Sequence, residues 1–407
     1  MLKPEPVKRS SCSLLFHCWS IVSATLLCLL STALPAQAQH ENVIYNFSGG
    51  IDGSHPFSVI RDASTGVMYG TTIDGGCGGY GVVFKASPGG TSTVIHCFAG
   101  LWDGAVPLAG VVRDSAGALY GTATEGGSYD YYCPEYGCGV VFKVNPDPPF
   151  DYTILHTFHG GNDGIAPNAI MIDNAGNLFG TAFAGGALGW GSVFKIDTAS
   201  KFSVLYTFTG GPDGGGPVQG LAEDAAGNLY GLTGFGGSYN AGVIFKISGT
   251  TETVIHTFTG GSDGGFTRGS DGHPILDPAG NLYGATTVGG NLADCGGIGC
   301  GLIFRLSPSG DYTVLHNFTG GGDGAEPNSS LLRTPAGVIY GTSQSVAYKL
   351  APSGNLAVLH DFVGGTADGI YPNGGLVMDS AGTLYGSTGS GGTGCCNGAG
   401  VIFKIYK

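Results

Sequence analysis

Four short phrases recur seven times in this chain, and this periodicity constrains the fold more than any other feature of the sequence. The first phrase is Phe-x-Gly-Gly-x-Asp-Gly or a near variant, and its copies begin at Phe47, Phe98, Phe158, Phe208, Phe258, Phe318 and Phe362. The others are an apolar-aromatic-Gly phrase such as 229–231, a Val-Val-Phe-Lys phrase such as 82–85, and a Val-Leu-His phrase such as 314–316. A repeat of about 50 residues is typical of propellers, solenoids and arrays.

Each phrase predicts a short strand. The phrases are rich in Val, Ile, Phe, Tyr and Thr and are bounded by Gly, Pro, Asp or Ser, as strands are. The 78 Gly and 20 Pro among 407 residues oppose long helices. Four strands per unit and seven units predict an all-β fold, a seven-bladed β-propeller of four-stranded blades. An open β-solenoid is the alternative.

The phase of the repeats predicts how such a ring closes. The segment 43–47 is a lone copy of the outermost strand, whereas the segment 375–406 supplies only three strands. We therefore expect the N-terminal strand to pair with the C-terminal blade, which would leave no exposed sheet edge at the closure.

The first 38 residues have the features of an export signal. Basic residues precede an apolar run from Ile21 to Leu34, and Ala36-Gln37-Ala38 matches the small-x-small cleavage pattern. We expect residues 1–38 to be a signal peptide, residues 39–407 to form one propeller domain, and the protein to be secreted, either periplasmic or extracellular. The run is shorter than the roughly 20 residues that span a bilayer, so no transmembrane segment is expected in the mature chain. A membrane anchor is the alternative.

The charge balance restricts the partners. The net charge of −13 argues against nucleic acid and against an anionic membrane surface. Within each unit, short Asp-x-Ala-Gly turns are expected on one face of the ring. The opposite face should collect the crossings between blades and loops of very unequal length, and such variation on a rigid scaffold indicates the functional side.

The repeat units resemble a known family. Asp224 to Thr233, followed by Ala241 to Ile247, looks like the GloVer (Gloeo/Verruco) tandem repeats of exported bacterial proteins, and the likeness covers residues 42–406. The Asp-x-x-Gly-Asn-Leu-Tyr element alone is also similar to blades of sensor-type and lyase-type propellers. The resemblance implies an exported propeller-like protein and carries no established activity.

The cysteines after residue 38 fit an oxidising compartment. Cys133 with Cys138, and Cys295 with Cys300, predict two local disulfides in equivalent loops of blades two and five. The sequence leaves open how Cys77, Cys97, Cys395 and Cys396 pair. Zinc is the alternative for the two local pairs, but they lie about three blades apart, so we predict no metal site and no cofactor.

Two recurring polar residues have structural interpretations. The Asp of each first phrase is either a turn cap or a calcium ligand, and one Asp per blade does not supply the six to eight oxygens that calcium needs. The His of the fourth phrase is replaced by Tyr45 and Tyr206 in two blades. This exchange indicates a packed side chain and not a catalytic base.

Blade five departs most from the repeat, and chemistry that occurs once should break the symmetry. Its crossing is longer and adds Arg268, Asp271 and His273, which could bind an acidic sugar or act as acid and base. A solvated loop excursion is the plainer interpretation. The further binding candidates on this face are Glu125, Tyr131, Glu326 and Trp190.

Three functions therefore remain open from the sequence. The first is a non-catalytic exported scaffold that binds a polysaccharide or a cell-surface protein through the loops. The second is a carbohydrate-active lyase or hydrolase, and the third is a structural envelope component.

Overall fold

Each repeat unit forms one four-stranded antiparallel sheet, here called a blade. The computed structural model describes residues 41–265, 272–327, 329–395 and 398–406. Seven blades are present in that part of the chain, so the all-β, seven-bladed propeller predicted from the repeats is confirmed. A 3-10 turn at Cys295–Gly297 interrupts the loop between the second and third strands of blade five.

The strands are numbered along the chain. The first strand is β1 (Glu41–Asn46). Blade one contains β2 (Ser54–Arg61), β3 (Met68–Asp74), β4 (Val82–Ala86) and β5 (Ser92–Cys97). Blade two contains β6 (Val112–Arg113), β7 (Leu119–Ala123), β8 (Val140–Val144) and β9 (Tyr152–Thr157). Blade three contains β10 (Ile165–Ile172), β11 (Leu178–Ala184), β12 (Ser192–Ile196) and β13 (Phe202–Thr207). Blade four contains β14 (Gly215–Pro217), β15 (Ala222–Glu223), β16 (Leu229–Phe235), β17 (Val243–Ser248) and β18 (Thr251–Thr257). Blade five contains β19 (Ile275–Leu276), β20 (Leu282–Thr286), β21 (Leu302–Leu306) and β22 (Tyr312–Asn317). Blade six contains β23 (Leu332–Arg333), β24 (Ile339–Thr342), β25 (Val346–Leu350) and β26 (Leu356–Asp361). Blade seven contains β27 (Gly369–Met378), β28 (Leu384–Gly391) and β29 (Val401–Ile405).

Strand order within a blade follows chain order from the inner to the outer strand. In blade four the inner strand is split, since β14 and β15 both pair with β16. Blade seven takes its outer strand from the other end of the chain, because β1 pairs antiparallel with β29. In that ladder Val43 lies opposite Phe403.

The core lies between neighbouring blades. The Phe that opens each first phrase is at most 4% exposed, and its ring packs edge-on against the aromatic residue of the third strand in the next blade. Phe98 and Phe142 have ring centroids 5.5 Å apart, and Phe362 and Phe403 have theirs 4.9 Å apart. Burial of large rings in this arrangement contributes both apolar area and favourable edge-to-face geometry.

The glycine of the apolar-aromatic-Gly phrase makes this core possible. A Cβ added at Gly121 would lie 2.5 Å from Cζ of Phe142, and the same clash with a third-strand ring recurs at every copy of the phrase, with distances of 2.4 to 2.8 Å. Glycine is needed here because the ring of the third strand lies directly on the backbone of the second.

A second repeated contact joins each outer strand to the crossing that follows it. In every outer strand the pairing register shifts one residue before the His or Tyr of the fourth phrase. Such a bulge re-aims the side chain that follows. His156 Nε2 lies 3.1 Å from Asp163, and the Tyr206 hydroxyl donates to Asp213 at 2.9 Å. We call this pair the outer-strand lock.

The Asp of the lock also caps the crossing turn. Asp163 accepts a hydrogen bond from the backbone N–H of His159 at 3.0 Å, and Asp213 accepts one from Thr209 at 2.8 Å. The turn-cap interpretation of the recurring Asp is therefore confirmed. The recurring His is a packed residue, since the ring of His156 stacks on Phe202 of the next blade with centroids 3.6 Å apart.

Glu252 occupies this stacking position beside Tyr206 and Asp213. Its Oε1 is buried and has no hydrogen-bond partner among the described residues. Burial, and secondarily the charge of Asp213, raises the pKa of Glu252 to about 7. The neutral carboxyl is therefore favoured in the folded protein, and its ionisation opposes folding.

We expect Gly121→Ala to destabilise the fold by about 1–3 kcal/mol, because the added methyl group overpacks the Phe142 contact. Denaturant unfolding measures this change. Gly89→Ala is the matched control, since the nearest atom to a Cβ there is 3.7 Å away. Equal stability of the two variants would contradict the role assigned to the glycine.

We expect Glu252→Gln to raise the melting temperature at pH 8.5 and to change it little at pH 4.5. The stability that comes from the neutral carboxyl is complete below the unfolded-state pKa of about 4.3 and is lost as pH rises through about 7. Thermal unfolding of the variant and the parent across this range tests the sign, with the exposed Glu135→Gln as the control. A benefit of Glu252→Gln that is independent of pH would contradict the assignment.

Candidate functional site

The antiparallel order of the strands sorts the connections onto two faces. We call one the loop-rich face; it carries the crossings between blades and the loops between second and third strands. The described parts of the crossings are 47–53, 98–111, 158–164, 208–214, 258–265 with 272–274, 318–327 with 329–331, and 362–368. The described parts of the loops are 75–81, 124–139, 185–191, 236–242, 287–301, 343–345, and 392–395 with 398–400. The short-turn face carries the remaining turns, for example 114–118 and 307–311.

Exposed apolar side chains are concentrated on the loop-rich face. All but two of the exposed large hydrophobic residues that the structure describes lie in these connections or at the strand ends next to them, the exceptions being Val358 and Tyr406. Tyr131 is 89% exposed and Trp102 is 74% exposed. Large exposed apolar patches on one side of a molecule are typical of interaction surfaces.

Charged side chains are also distributed unequally between the two faces. Every Lys and Arg in the described part of the chain lies at the end of a strand that enters the short-turn face, or in the turn itself; these are Arg61, Lys85, Arg113, Lys143, Lys195, Lys201, Lys246, Arg305, Arg333, Lys349 and Lys404. The loop-rich face carries acidic residues, namely Asp52, Asp74, Asp103, Glu125, Asp130, Glu135, Asp163, Asp213, Asp263, Asp294, Asp323, Glu326, Asp361 and Asp368. This face is therefore strongly negative.

A ring of left-handed residues surrounds the opening of the central channel on this face. Each stands three positions after the Asp of the lock and has a φ of 50° to 57°; these mouth residues are His55, Val106, Ala166, Gly216, Glu326 and Tyr371. The left-handed backbone is costly for residues other than glycine, so its recurrence indicates a position that the fold imposes. The N–H of Val106 bonds the carbonyl of Tyr80 in the preceding blade at 3.0 Å. The backbone is thus fixed while the side chain is free to vary.

Polar and aromatic groups lie on different sides of this opening. His55 Nδ1 is 3.1 Å from Asp74 in blade one. Burial, and secondarily the charge of Asp74, raises the pKa of Glu125 in blade two. The rings of Phe183 and Phe235, in blades three and four, meet edge-on with centroids 6.3 Å apart.

The channel itself is narrow and mainly apolar. Its cavity of about 170 Å³ is lined by inner-strand residues such as Val59, Ile170 and Leu376 and by Val111 next to β6, with His273 in the wall. The backbone N–H of His273 donates to Ser330 Oγ at 3.0 Å, and its ring lies against Gly220, where a Cβ would be only 2.0 Å away. His273 is therefore held between blades four and six.

Blades four and five lack a hydrogen bond that joins each of the other blades to its neighbour. In blades one, two, three, six and seven, the residue after the Gly of the second strand is Thr or Ser, and its hydroxyl donates to a backbone carbonyl of the next inner strand, as Thr122 does to Asn168 at 2.9 Å. Leu232 and Ala285 replace that hydroxyl in blades four and five. At these two interfaces His273 makes the contacts instead, with Gly220 of blade four and with Ser330 of blade six.

The candidate residues from the sequence are only partly brought together. Arg268 and Asp271 lie outside the described residues, so their grouping with His273 remains a prediction. Glu125 lies near Asp74, and Glu326 is a mouth residue. Tyr131 and Trp190 lie on the loops of blades two and three.

Sequence reasoning missed several residues at the opening. These are His55, Tyr371, Phe183 and Phe235. One signal could have found the first two: the third residue after each lock Asp varies widely, although its neighbours repeat.

Three disulfides brace the loop-rich face. Both predicted local pairs are present, Cys133–Cys138 and Cys295–Cys300, with Cα atoms 5.4 and 5.3 Å apart. The third is Cys77–Cys97, one of the pairings that the sequence left open, and it joins a loop of blade one to the outer strand. Cys396 lies outside the described residues.

One cluster of described residues could hold a metal ion. Glu41, His360 and Asp368 place their ligand atoms within 4.8 Å of one another. His360 and Asp368 form an outer-strand lock like those of the other blades, at 3.1 Å, and Glu41 of β1 occupies the stacking position beside them. The cluster lies among outer strands, away from the channel opening.

No helix in the described ranges has both the length and the apolar character needed to cross a membrane. The predicted signal peptide and its cleavage site at residues 1–38 lie outside the described residues.

Comparison with known proteins identifies the repeat and the fold. A model of the Gloeobacter/Verrucomicrobia repeat matches residues 32–146 and 131–347. A streptogramin B lyase is similar in structure with a TM-score of 0.59 and 12% identity, over 90% of this chain and 97% of that chain. An extracellular domain assigned to a hybrid two-component system of B. thetaiotaomicron has a TM-score of 0.56 and 14% identity, over 90% of this chain and 41% of that chain. No curated protein matches the chain.

Identities this low show a shared fold and carry no activity from one protein to another. The repeat match is different in kind, because it covers more than half of the residues. The chain belongs to the Gloeobacter/Verrucomicrobia repeat family.

Proposed function

We propose that this protein is an exported, non-catalytic scaffold that binds a macromolecular partner on its loop-rich face. The observation that carries the proposal is the concentration of exposed hydrophobic side chains on that face. Tyrosine and tryptophan are enriched at protein interfaces and also stack on sugar rings, because each combines a large apolar area with a polar group.

The scaffold holds these side chains in place. Tyr131 and Tyr132 directly precede the Cys133–Cys138 disulfide in the loop 124–139, and their rings meet edge-on with centroids 5.5 Å apart. The Tyr129 hydroxyl donates to the carbonyl of Gly100 in the adjacent crossing at 2.6 Å. Loops that are already ordered lose less entropy on binding, which favours recognition by this face.

The shape of the surface supports a macromolecule over a small ligand. A cavity of about 560 Å³ lies between blades two and three at the short-turn face, away from the exposed hydrophobic residues, and is lined by Asp114, Tyr120 and Asp173. The hydrophobic residues of the loop-rich face project into solvent from several blades. Small-molecule sites are concave, whereas a broad apolar surface suits a large partner.

Catalysis is the less favoured alternative. A lyase or hydrolase needs acidic groups poised around a reacting bond. The seven repeat Asp residues are committed to their outer-strand locks, and the ring of His273 packs against Gly220 in the channel wall. The acidic residues that remain lie on a solvated surface with exposed aromatic residues, which suits binding.

Export is supported by three observations. The first 38 residues have the pattern of a signal peptide. Three disulfides favour an oxidising compartment. A structurally similar protein is itself an extracellular domain.

We expect the double variant Trp102→Ala, Tyr131→Ala to weaken partner binding by at least about tenfold, since truncated interface aromatics typically cost about 2 kcal/mol or more when they are hot spots. The measurement is binding of the labelled protein to an array of glycans and immobilised peptides, followed by titration of the best ligand. Tyr406→Ala is the matched control, because Tyr406 is 41% exposed but lies at the short-turn face.

Incubation with the same ligand then separates a scaffold from an enzyme. Unchanged ligand after prolonged incubation is the expected result, and release of a cleaved product would establish catalysis instead. Equal losses in Tyr406→Ala and the double variant would remove the loop-rich face from the proposal.

A further inference from the structure

The net negative charge of the described residues lies almost wholly on one face. On the short-turn face the basic residues are matched by acidic ones, as in Arg113 with Asp62 and Arg333 with Asp277 at 3.5 Å. On the loop-rich face the described cationic candidates are histidines. Five of them belong to outer-strand locks, and two more pair with other acids: His55 with Asp74 at 3.1 Å, and His159 with Asp130 at 2.6 Å. A partner that covers this face must supply the missing positive charge.

Seven of the acidic residues on this face are not part of an outer-strand lock. They are Asp74, Glu125, Asp130, Glu135, Asp294, Glu326 and Asp361. Several stand directly among the exposed rings: Asp130 lies between Tyr129 and Tyr131 in sequence, and Glu135 precedes Tyr136. Carboxylates beside aromatic faces attract cations by charge and by the ring quadrupole together.

The chain itself uses such pairing on the other face. Lys143 lies over the ring of Tyr120 at 5.4 Å, Lys246 over Tyr230 at 5.5 Å, and Arg333 over Tyr283 at 4.8 Å. The described rings of the loop-rich face, such as Tyr131 and Trp102, are exposed and lie on a face with no described Lys or Arg. They are therefore available to cations of another molecule.

We propose that the loop-rich face recognises a Lys- and Arg-rich segment of a protein partner, an inference that rests on the proposed function and specifies its ligand. Aliphatic side chains are exposed among the rings, including Ile51, Leu101, Leu188 and Ile298. Aliphatic groups pack against the apolar stems of Lys and Arg and against other apolar side chains, whereas sugar rings are held mainly by aromatic stacking. A cationic polysaccharide would leave this aliphatic surface poorly matched.

A second copy of the chain is a poor occupant. Its only described Lys and Arg lie on the short-turn face, where Arg113 and Arg333 are engaged with Asp62 and Asp277 and several lysines lie over rings. The cations that this surface needs therefore come from a different protein.

The test uses the full chain and three fluorescent or competing probes. These are a labelled peptide rich in Arg and Leu, its twin with Glu in place of each Arg, and an oligosaccharide of chitosan as a polycationic glycan. Fluorescence anisotropy is expected to give at least about tenfold tighter binding of the Arg peptide than of the Glu twin at low salt, with the difference shrinking as salt screens the charges. Equal binding of the twins, or tighter binding of chitosan than of the Arg peptide, would overturn the proposal.

Charge-removal variants locate the effect. The triple variant Asp74→Asn, Glu125→Gln, Glu326→Gln is expected to weaken binding of the Arg peptide on the order of tenfold. The control removes the same charge from the short-turn face with Asp147→Asn, Asp151→Asn, Asp311→Asn, and it is expected to change affinity less than about twofold. Similar losses in the two triple variants would show a non-specific charge effect and overturn the assignment to this face.

These measurements distinguish failure of the basic-partner proposal from failure of the scaffold function itself. If the Arg peptide fails to bind but an array ligand is lost specifically in Trp102→Ala, Tyr131→Ala, the scaffold function stands and the basic partner is rejected. If neither the array nor the peptides reveal binding that depends on this face, both proposals fail.

Discussion

The outer-strand lock between a His or Tyr and the Asp of the following crossing is the contact on which the rest of the structure depends. It fixes the path of the chain at the point where one blade gives way to the next, because the same carboxylate holds the side chain of the outer strand and the N–H groups of the turn. The buried Phe that opens the phrase is thereby directed into the next blade. Packing between blades and geometry of the crossing are consequently set by one short phrase.

A scaffold made in this way separates stability from recognition. The locks, the glycine-ring contacts and the interblade phenylalanines recur with little change around the ring, whereas the mouth residues vary from Gly216 to Tyr371 on a backbone of nearly constant conformation. The loops of the same face vary in length and are braced by disulfides. New recognition surfaces can therefore arise on this side without disturbing the core.

The repeat made most of the fold predictable from sequence. Because seven copies of each phrase share one environment, the strands, the blade number and the turn-capping Asp could be inferred from any copy and checked against the others. The local disulfides were predictable because their cysteines are close in sequence and occur in equivalent loops.

The candidate site was less predictable, because it is made where the repeat fails. The position of His273 depends on packing of its ring against Gly220 and on the hydrogen bond that its backbone N–H donates to Ser330. Both are contacts between residues far apart in sequence. The left-handed mouth residues leave no composition signal, since His, Val, Ala and Glu all adopt that backbone here. The segregation of charge becomes visible only when each Lys and Arg is assigned to one end of its strand.

The pairing of β1 with β29 also determines how the molecule can be tethered. Glu41 lies opposite Ile405 in that ladder, so the two ends of the described chain leave the ring side by side at the short-turn face. An attachment made at either described end therefore joins the ring at one place, the outer edge of the closing blade.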